Sequence, residues 1–496
     1  MTPNTNTHNL MPMEKNRKER PMKALQFGEG NFLRAFVDWT IDKLNEETDF
    51  NGNVVMVKPR RGSVDKYNAE GCNYTAVIRG MENGVPVEDY RKITSVDSCI
   101  SPYESYDEYM ALGENPDLRF IFSNTTEAGI TYRKEDRLED RPQESFPGKV
   151  TALLYNRYRH FGGDSSKGII IIPCELIDKA GEKLREIILR HAEDWNLEEG
   201  FRNWIDSSCD FCNSLVDRIV PGYPEKDAKE IEEKLGYRDP LMITAEPFML
   251  WVIECKDKTH EDELPSRNII WTHDMSFYRT RKVRILNGAH TMTVLASFQK
   301  GLDTVKECMD DIDVYAYMRK GLFDEIIPEM EGDRKELEEY AEAVLERFSN
   351  PYIEHKLLSI ALNSVSKFRT RVLPSLLGYI KSFNRLPDVL SFSLSALISF
   401  YEGKMNEEGS ALSGKRDGKE YRISDSKDVL ETFNSLYGKN YDSIEIKART
   451  ISHEVLSRAD WWGEDLTGIE GLEARIADNL KRIWTLGMND ALKEIL

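Results

Sequence analysis

Three residues of the segment Lys282-Val-Arg-Ile-Leu-Asn287-Gly-Ala-His290 carry side chains suited to the chemistry of a carbonyl group. On an α-helix with about 100° per residue, Asn287 and His290 lie about 60° apart and Lys282 and His290 about 80° apart, so all three can share one wide face. The lysine would exchange a proton with a substrate oxygen, while the amide and imidazole would donate hydrogen bonds to the developing alkoxide. The pattern predicts interconversion of a ketone and an alcohol. Taken alone, it is also typical of an ordinary helix start.

A second candidate site is the turn Phe27-Gly28-Glu29-Gly30-Asn31-Phe32, which follows the first predicted strand and opens a helix. Gly28 and Gly30 match the first two glycines of the dinucleotide-binding fingerprint. The first permits the tight turn, and the second lets the backbone approach a pyrophosphate at the helix N-terminus. Leu33 replaces the third glycine, so the match is partial. The position after the first strand favours a nucleotide site, although a lone G-x-G commonly marks a simple turn.

Basic residues follow the second predicted strand, in the run Lys58-Pro59-Arg60-Arg61, and this run contains no carboxylate. An acidic residue at this position would accept hydrogen bonds from the ribose hydroxyls of NAD, whereas a basic residue would suit the 2′-phosphate of NADP. The residue types alone therefore favour NADP. The alternative is that these residues form a solvated turn or merely flank the adenosine.

Small polar residues follow the fourth predicted strand, in Ser123-Asn124-Thr125-Thr126. A doubly wound sheet binds its ligand at the carboxyl ends of its parallel strands. Asn124 and Thr125 are therefore predicted to contact the cofactor. The same residues would also serve as a helix cap.

These segments lie in an alternation of strands and helices that predicts an α/β sheet, partly parallel. The predicted strands are Lys23–Phe27, Asn53–Val57, Tyr74–Ile78, Leu118–Ser123 and Gly168–Pro173, with helical patterns at Phe32–Leu44, Gly148–His160 and Gly181–Asp194. After about Thr280 the strand signals nearly vanish and helical periodicity predominates. There Glu402–Asp425 is expected to form a long loop or a hairpin.

The organisation predicted is therefore α/β plus all-α. We expect a flexible N-terminal arm at 1–20, a Rossmann-like dinucleotide-binding domain at 21–280 and a mostly helical C-terminal substrate domain at 281–496. Lys282 then falls at the domain junction, where clefts usually form.

The composition excludes several classes of partner. The 496 residues contain 67 Lys and Arg against 86 Asp and Glu, which gives a net charge of −19 and argues against nucleic acid or an anionic membrane surface. No apolar run approaches the ~20 residues that cross a bilayer. Seven cysteines are an odd, sparse count that indicates a reducing cytoplasm. Cys209-x-x-Cys212 lacks a second pair at zinc spacing, so we expect structural thiols and no metal.

The chain resembles the long-chain, metal-independent mannitol dehydrogenase family. The resemblance rests on GEGNFLRAFVDW (28–39), SNTTEAGI (123–130), VDRIVP (216–221), AEPFMLWVIE (245–254) and KVRILNGAHT (282–291), which recur in the family's order and spacing. It covers nearly everything from about residue 22 to the C-terminus. It implies an oxidoreductase that uses NADH and no metal, in conflict with the NADP preference drawn from Lys58, and we follow the family while leaving NADP open.

The resemblance also implies roles for individual residues. Lys282 matches the catalytic general acid and base, with Asn287 and His290 as its polarising and substrate-binding partners. Gly28, Gly30, Asn31 and Phe32 match the family's cofactor turn. With Phe27 and the strand-end residues Lys58, Asn124 and Thr125, they make up the predicted cofactor site. Asp217 matches a ligand of a substrate hydroxyl, and Lys367 falls near a further substrate lysine. Arg218, Lys367 and Arg371 are the alternatives for pairing with a substrate carboxylate.

One position departs from the pattern of polyol-oxidising members, which place a second oxyanion-hole Asn after the fifth strand. Here that segment is Pro173-Cys174-Glu175-Leu176, and Leu176 stands where those members have the Asn. Mannitol is therefore disfavoured, and the uronate-reducing branch is favoured, with a hexuronate or ketose as substrate. We expect a cytoplasmic monomer or small homo-oligomer. A polyol dehydrogenase and a nucleotide-sensing regulatory protein without turnover are the remaining alternatives.

Overall fold

The computed structural model describes residues 10–14, 19–126, 128–256 and 260–496. These divide into two compact units. The first contains the described residues up to Gly80 together with Pro86–Met275, and the second contains Met81–Val85 and Ser276–Leu496. In sequence, the main change of unit falls inside the interval 270–285 where the strand signals end. No helix among the described residues is long and apolar enough to span a membrane.

The first unit is built on a six-stranded parallel sheet with the order β5-β2-β1-β6-β7-β8. Its strands and those of two smaller sheets are β1 (Met22–Phe27), β2 (Asn53–Val57), β3 (Tyr74–Glu82), β4 (Val85–Ile93), β5 (Val96–Ile100), β6 (Phe120–Ser123), β7 (Ile170–Pro173), β8 (Asp210–Phe211), β9 (Asn213–Asp217), β10 (Ile243–Ala245), β11 (Leu250–Glu254) and β12 (Ile269–Thr272). This order reverses beside β1, as in doubly wound nucleotide-binding folds. The prediction of a Rossmann-like domain is confirmed.

Along the chain, the helices of the first unit lie between its strands. They are Asn31–Leu33, the π-helix Arg34–Asp38, Trp39–Glu47, Asp65–Ala69, Tyr106–Leu112, Phe146–His160, the 3₁₀ turn Ser165–Lys167, Ala180–Asp194, Glu199–Ser208, Ala228–Leu235 and His260–Glu263. The strands are apolar on both faces because each face has its own core. Ala24, Met56 and Phe122 point into one, and Leu25 and Val57 point into the other.

The second unit is mostly helical, as predicted. Its helices are Ser276–Arg281, the π-helix Lys282–Asn287, Gly288–Lys300, Val305–Asp310, Ile312–Lys320, the π-helix Gly321–Ile326, the 3₁₀ turn Ile327–Glu329, Arg334–Phe348, Leu357–Ile360, Ser364–Arg371, Leu373–Phe383, Asp388–Phe400, Lys427–Tyr437, Ile444–Leu456, Ala459–Trp462, the 3₁₀ turn Leu466–Gly468, Leu472–Leu486 and Met488–Lys493. The helix Asp388–Phe400 lies in its interior, since Val389 through Phe400 are all buried.

Three local expectations change in the structure. The strand predicted at Tyr74–Ile78 exists but joins the separate sheet β10-β3-β4 instead of the main one. The segment Glu402–Asp425 is a three-stranded antiparallel sheet of β13 (Gly403–Met405), β14 (Leu412–Arg416) and β15 (Lys419–Ile423). Most of the expected arm lies outside the described residues. Within 10–14, Met11 and Met13 exchange backbone hydrogen bonds with Arg238.

Candidate functional site

The carboxyl edge of the parallel sheet brings together three of the predicted cofactor segments. Phe27 is paired with Val57 on one side and with Ser123 on the other, so the chain leaves three adjacent strands at Gly28, Lys58 and Asn124. The turn is tied across the edge, because the Gly28 N–H donates to the Val57 carbonyl at 3.0 Å and the Asn124 N–H donates to Phe27 at 3.1 Å. These three predicted cofactor segments therefore lie side by side at one edge of the sheet in the first unit.

The backbone conformation and the close packing at position 28 require glycine. Its φ is +127°, and an added Cβ would lie 3.1 Å from the Asn124 carbonyl oxygen and 3.2 Å from Leu33 Cδ1. Nothing lies within 4 Å of the corresponding position at Gly30, which leaves open space beside the helix start. Leu33, in place of the third glycine, is buried and fills the space next to Gly28.

Arg34 links the helix start to the rest of the unit. Its Nη2 donates to Asn31 Oδ1 at 2.9 Å, and its Nη1 donates to the Leu241 carbonyl at 2.6 Å. Phe32 stacks on Phe36 with ring centroids 4.8 Å apart. Asn31 is itself exposed. Its side chain is held by the hydrogen bond from the buried Arg34.

Lys58 is held by a carboxylate of the glycine turn. Its Nζ forms an ion pair with Glu29 Oε1, and the Tyr67 hydroxyl donates to the Glu29 carbonyl oxygen at 3.0 Å. Arg60 lies 3.5 Å from Thr126 Oγ1, and Arg61 pairs with Glu144 at 2.7 Å. Lys58 is therefore already paired and is not the available cation that a preference for NADP would require.

Glu175 is a residue of this edge to which sequence reasoning assigned no role. Its Oε1 accepts hydrogen bonds from the Thr125 N–H at 2.8 Å and Thr125 Oγ1 at 2.9 Å, and its Oε2 accepts one from Ser123 Oγ at 3.0 Å. Burial raises the pKa of Glu175, although these hydrogen bonds oppose the shift. The sequence signal that could have identified Glu175 is its position, two residues after the buried strand β7 ends at this edge of the sheet. Leu176 beside it is 68% exposed.

The three residues predicted for catalysis lie in the second unit, on a π-helix that continues into an α-helix. Lys282 and Asn287 begin and end the π-helical segment, and His290 lies in the first turn of the next helix. A π-helix bonds residue i to residue i+5, so Lys282 and Asn287 are direct neighbours along one face. All three side chains are partly exposed. The α-helical geometry assumed from sequence is therefore replaced by a π-helix over Lys282–Asn287, and His290 follows in the α-helix that continues it.

Aromatic groups position the His290 ring. It stacks on Phe348 with centroids 4.1 Å apart and meets the His355 ring edge-on at 5.2 Å. Burial lowers the pKa of His355, which favours a neutral neighbour for His290. The flat contact with Phe348 fixes the ring plane of His290.

Two arginines next to Lys282 in sequence have carboxylate partners of their own. Arg281 pairs with Glu336 and lies over the Tyr340 ring at 4.4 Å. Arg284 donates to Glu329 Oε1 at 3.0 Å and to Ser375 Oγ at 2.7 Å. Their charges are therefore compensated locally.

The predicted substrate cations Lys367 and Arg371 occupy one helix beside this face. An added Cβ at Gly288 would lie 3.3 Å from the Arg371 carbonyl oxygen, so this glycine permits the close approach of the two helices. Arg371 Nη1 lies 3.5 Å from Thr291 Oγ1, and Lys367 Nζ donates to the Ile360 carbonyl at 2.8 Å. Burial and the charge of Arg371 lower the pKa of Lys367. Burial also lowers the pKa of Arg371.

Asp217 and Arg218 belong to the first unit. Asp217 ends β9 opposite Leu250 and is buried. The Arg218 guanidinium is also buried, donates to the carbonyls of Ala35 at 2.7 Å and Glu246 at 2.9 Å, and lies over the Trp39 ring at 4.4 Å. Burial lowers its pKa to about 10. These contacts give Arg218 a packing role, and its proposed contact with substrate stays a prediction.

The cysteine pair is buried, with Cys209 7% and Cys212 0% exposed. Near it, ligand atoms of Asp210, Cys255 and His260 lie within 4.8 Å of one another. The His260 ring contacts Asp210 at 2.8 Å and Glu263 at 3.2 Å. Burial opposes a charge on His260, but these hydrogen bonds outweigh it and raise the pKa to about 11. The His260 ring therefore lies between two carboxylates, with Cys255 nearby.

Comparison with known proteins identifies the family. The Mannitol dehydrogenase Rossmann domain matches residues 22–266, and the Mannitol dehydrogenase C-terminal domain matches residues 274–484. The chain belongs to the mannitol dehydrogenase family. It is an oxidoreductase of the dehydrogenase type that acts on CH–OH groups, which confirms the resemblance drawn from its motifs.

Altronate oxidoreductases are among its most similar relatives. Those of Shigella flexneri and Escherichia coli O139:H28 (strain E24377A / ETEC) are each 46% identical over 481 residues, which is 96% of this chain and 97% of theirs. Among solved structures, Pseudomonas fluorescens mannitol 2-dehydrogenase in complex with NAD and D-mannitol shares 20% identity over 96% of this chain and 94% of its own, with a TM-score of 0.65. A substrate-free D-sorbitol dehydrogenase shares 19% identity over 95% of each chain, with a TM-score of 0.76. These two structures support the fold alone.

Proposed function

We propose that this protein is an altronate oxidoreductase, which interconverts tagaturonate and altronate with NAD(H). The observation that carries the proposal is the set Lys282, Asn287 and His290 close together along one continuous helix, in a chain 46% identical to altronate oxidoreductases over 96% of its length.

The carboxyl edge of the parallel sheet fits a dinucleotide. The positive φ of Gly28 and the open space beside Gly30 leave the backbone accessible at the start of a helix, where N–H groups favour a phosphate. Phe27, Gly28, Gly30, Asn31 and Phe32 would hold the cofactor, with Lys58, Asn124 and Thr125 from the neighbouring strand ends. The nicotinamide supplies the hydride when it is bound.

Proton transfer belongs to Lys282. In reduction its ammonium group would donate a proton to the carbonyl oxygen while the carbonyl carbon accepts hydride, so that one C–H and one O–H bond form. Asn287 and His290 would donate hydrogen bonds to the same oxygen as its charge grows. Asp217 would accept from a substrate hydroxyl. Lys367 and Arg371 would pair with the carboxylate, because both are partly desolvated cations on one helix.

This assignment has a direct consequence for pH dependence. An ordinary lysine is protonated at neutral pH, with a pKa of ~10.4, and the protonated form is the one that reduction needs. Oxidation needs the neutral amine. We therefore expect reduction to be favoured near neutral pH and oxidation at higher pH, and equal optima in the two directions would count against Lys282.

An NADH-oxidation assay with tagaturonate, fructuronate and fructose side by side tests the substrate. We expect tagaturonate to give the highest kcat/KM. A preference for fructuronate would indicate fructuronate reductase (mannonate oxidoreductase), and a preference for fructose would indicate a mannitol or polyol 2-dehydrogenase. Binding of NADH without turnover of any of the three would indicate an NAD-sensing regulatory protein. A metal-free enzyme, a cytoplasmic location and a monomer or small homo-oligomer remain part of the proposal.

A further inference from the structure

The ion pair between Glu29 and Lys58 gives the glycine turn a second role. We propose that the Glu29 carboxylate sets the cofactor preference of this enzyme, by neutralising Lys58 and disfavouring the 2′-phosphate of NADPH. The inference rests on the proposed function, since it requires a dinucleotide at the carboxyl edge of the sheet.

The location of the pair is the basis of the inference. Lys58 directly follows β2, whose end in dinucleotide-binding folds faces the adenosine ribose. An acidic residue there accepts from the ribose hydroxyls, and a basic one accommodates a 2′-phosphate. This chain has the basic residue, yet Glu29 comes from the turn after β1 and brings a carboxylate to the same place. The acid that the β2 end lacks is supplied by the neighbouring strand.

The pair is fixed on both sides. Its side chains are 17% and 18% exposed, so solvent screens it less than the neighbouring pair of Arg61 and Glu144, at 73% and 42%. The Tyr67 hydroxyl holds the Glu29 backbone. On the other side, Gly62 has a φ of +134°, and a Cβ there would lie 3.0 Å from Lys58 Cε. This glycine leaves the room in which the lysine stem lies.

Charge then decides between the cofactors. A 2′-phosphate carries close to two negative charges near neutral pH, and it would meet the Glu29 carboxylate while Lys58 is already paired. Without that carboxylate, Lys58 and the exposed Arg60 would form a cationic site for the phosphate. NADH has only hydroxyls at this point and tolerates either state.

Glu29→Gln tests the inference because it keeps the shape and removes the charge. We expect the ratio of NADPH to NADH in kcat/KM, and in affinity measured by titrating cofactor fluorescence without substrate, to rise about 10-fold or more. Adding Lys58→Met to Glu29→Gln should cancel the gain. The matched control is Glu144→Gln, which releases Arg61 in the same loop and should change the ratio less than about twofold.

The outcomes separate the inference from the proposed function. NADH binding by the wild type with an unchanged ratio in Glu29→Gln would overturn the inference and leave the function standing. No NADH binding by the wild type would overturn both. If Glu29→Gln does not fold, as judged by circular dichroism, Lys58→Met alone decides. It should lower the NADPH to NADH affinity ratio about threefold or more, and an unchanged or higher ratio would overturn the inference.

Discussion

Two π-helical segments, Arg34–Asp38 in the first unit and Lys282–Asn287 in the second, differ in how far their polar side chains are exposed to solvent. In the first segment Arg34 and Asp38 are buried, at 6% and 0% exposure, and bond to the groups around them. In the second, Lys282, Arg284 and Asn287 keep part of their surface. The wider π-helical turn is often found at functional sites. The two segments differ in burial: Arg34 and Asp38 lie inside the first unit, whereas the polar side chains of the second segment remain partly exposed.

The first segment takes part in a buried hydrogen-bond network. Tyr74 Oη lies 2.9 Å from Asp38 Oδ2 and 2.9 Å from the Arg34 carbonyl oxygen, and Gln26 Nε2 lies 3.4 Å from the same carboxylate oxygen. Gln26 Nε2 also donates to the Gly28 carbonyl at 3.1 Å. The network therefore ends at the glycine turn and stabilises it without facing a ligand.

The largest effect is expected from Lys282→Ala. Loss of the proton donor should lower kcat by about 10²–10⁴-fold, while the dissociation constant for NADH, measured by fluorescence titration, stays within about twofold. Lys300→Ala, a lysine paired with Asp311 near the end of the following helix, should leave kcat nearly unchanged. A loss of NADH binding in Lys282→Ala would contradict a role confined to proton transfer.

Arg34→Met tests the buried segment. It removes the donor to the Leu241 carbonyl and to Asn31 and the favourable charge near Asp38. We therefore expect the free energy of unfolding to fall by about 3–5 kcal/mol, as measured by urea denaturation. Arg334→Met is the control, because Arg334 is 66% exposed in its pair with Glu338, and it should cost less than about 1 kcal/mol. Equal losses of unfolding free energy in the two variants would show that the buried contacts of Arg34 stabilise the protein no more than the exposed ion pair of Arg334.

Asp38 should make stability depend on pH. Burial raises its pKa to about 7 in the folded protein from the ordinary value of 3.8, so the folded state binds the proton more tightly than the unfolded state. The stability advantage of wild type over Asp38→Asn should then fall as pH rises from 4 to 8, by about 2–4 kcal/mol. Urea unfolding at several pH values measures it. Parallel curves for the two proteins would show that Asp38 does not titrate in this range.

The smallest effect concerns the cations beside the second segment. Arg371→Met should raise KM for tagaturonate about 10–100-fold, as expected for the loss of a charged hydrogen bond, and change kcat/KM for fructose by less than about threefold. Arg371→Lys should restore part of the loss. A similar loss with both substrates would assign Arg371 to packing against Thr291 instead of to the carboxylate.

Local patterns predicted much of the fold. The strands β1, β2, β6 and β7 are recognisable as short apolar runs because the sheet is buried on both faces. The helices Phe146–His160 and Ala180–Asp194 are recognisable because each has 15 residues over which helical periodicity can show. Short or irregular strands such as β8 and β10 carry too few residues for such a pattern. Tyr74–Ile78 was predicted as a strand, but its sheet was not, because pairing partners distant in the chain leave no local signal.

The candidate site shows the same difference between local patterns, which the sequence reveals, and contacts between distant segments, which it does not. Lys282, Asn287 and His290 were identified by their spacing, which survives in either helical geometry. Arg218 was named as a substrate cation, yet its nitrogens bond to Ala35 and Glu246, which lie far from it in sequence. Glu175 had no assigned role because its partners, Ser123 and Thr125, follow a different strand.

The sequence by itself determined where chemistry is available: a glycine turn after the first strand, polar residues at the strand ends and a Lys-Asn-His set on one helix. These depend on residue type and short spacing. Only the tertiary structure decided which charges are compensated, because Glu29 meets Lys58, and Glu329 meets Arg284, through contacts between separate segments. Residue type alone made Lys58 an argument for NADP. Its partner, 29 residues away in the chain, compensates that charge, and the effect of a charge depends on what lies next to it in space.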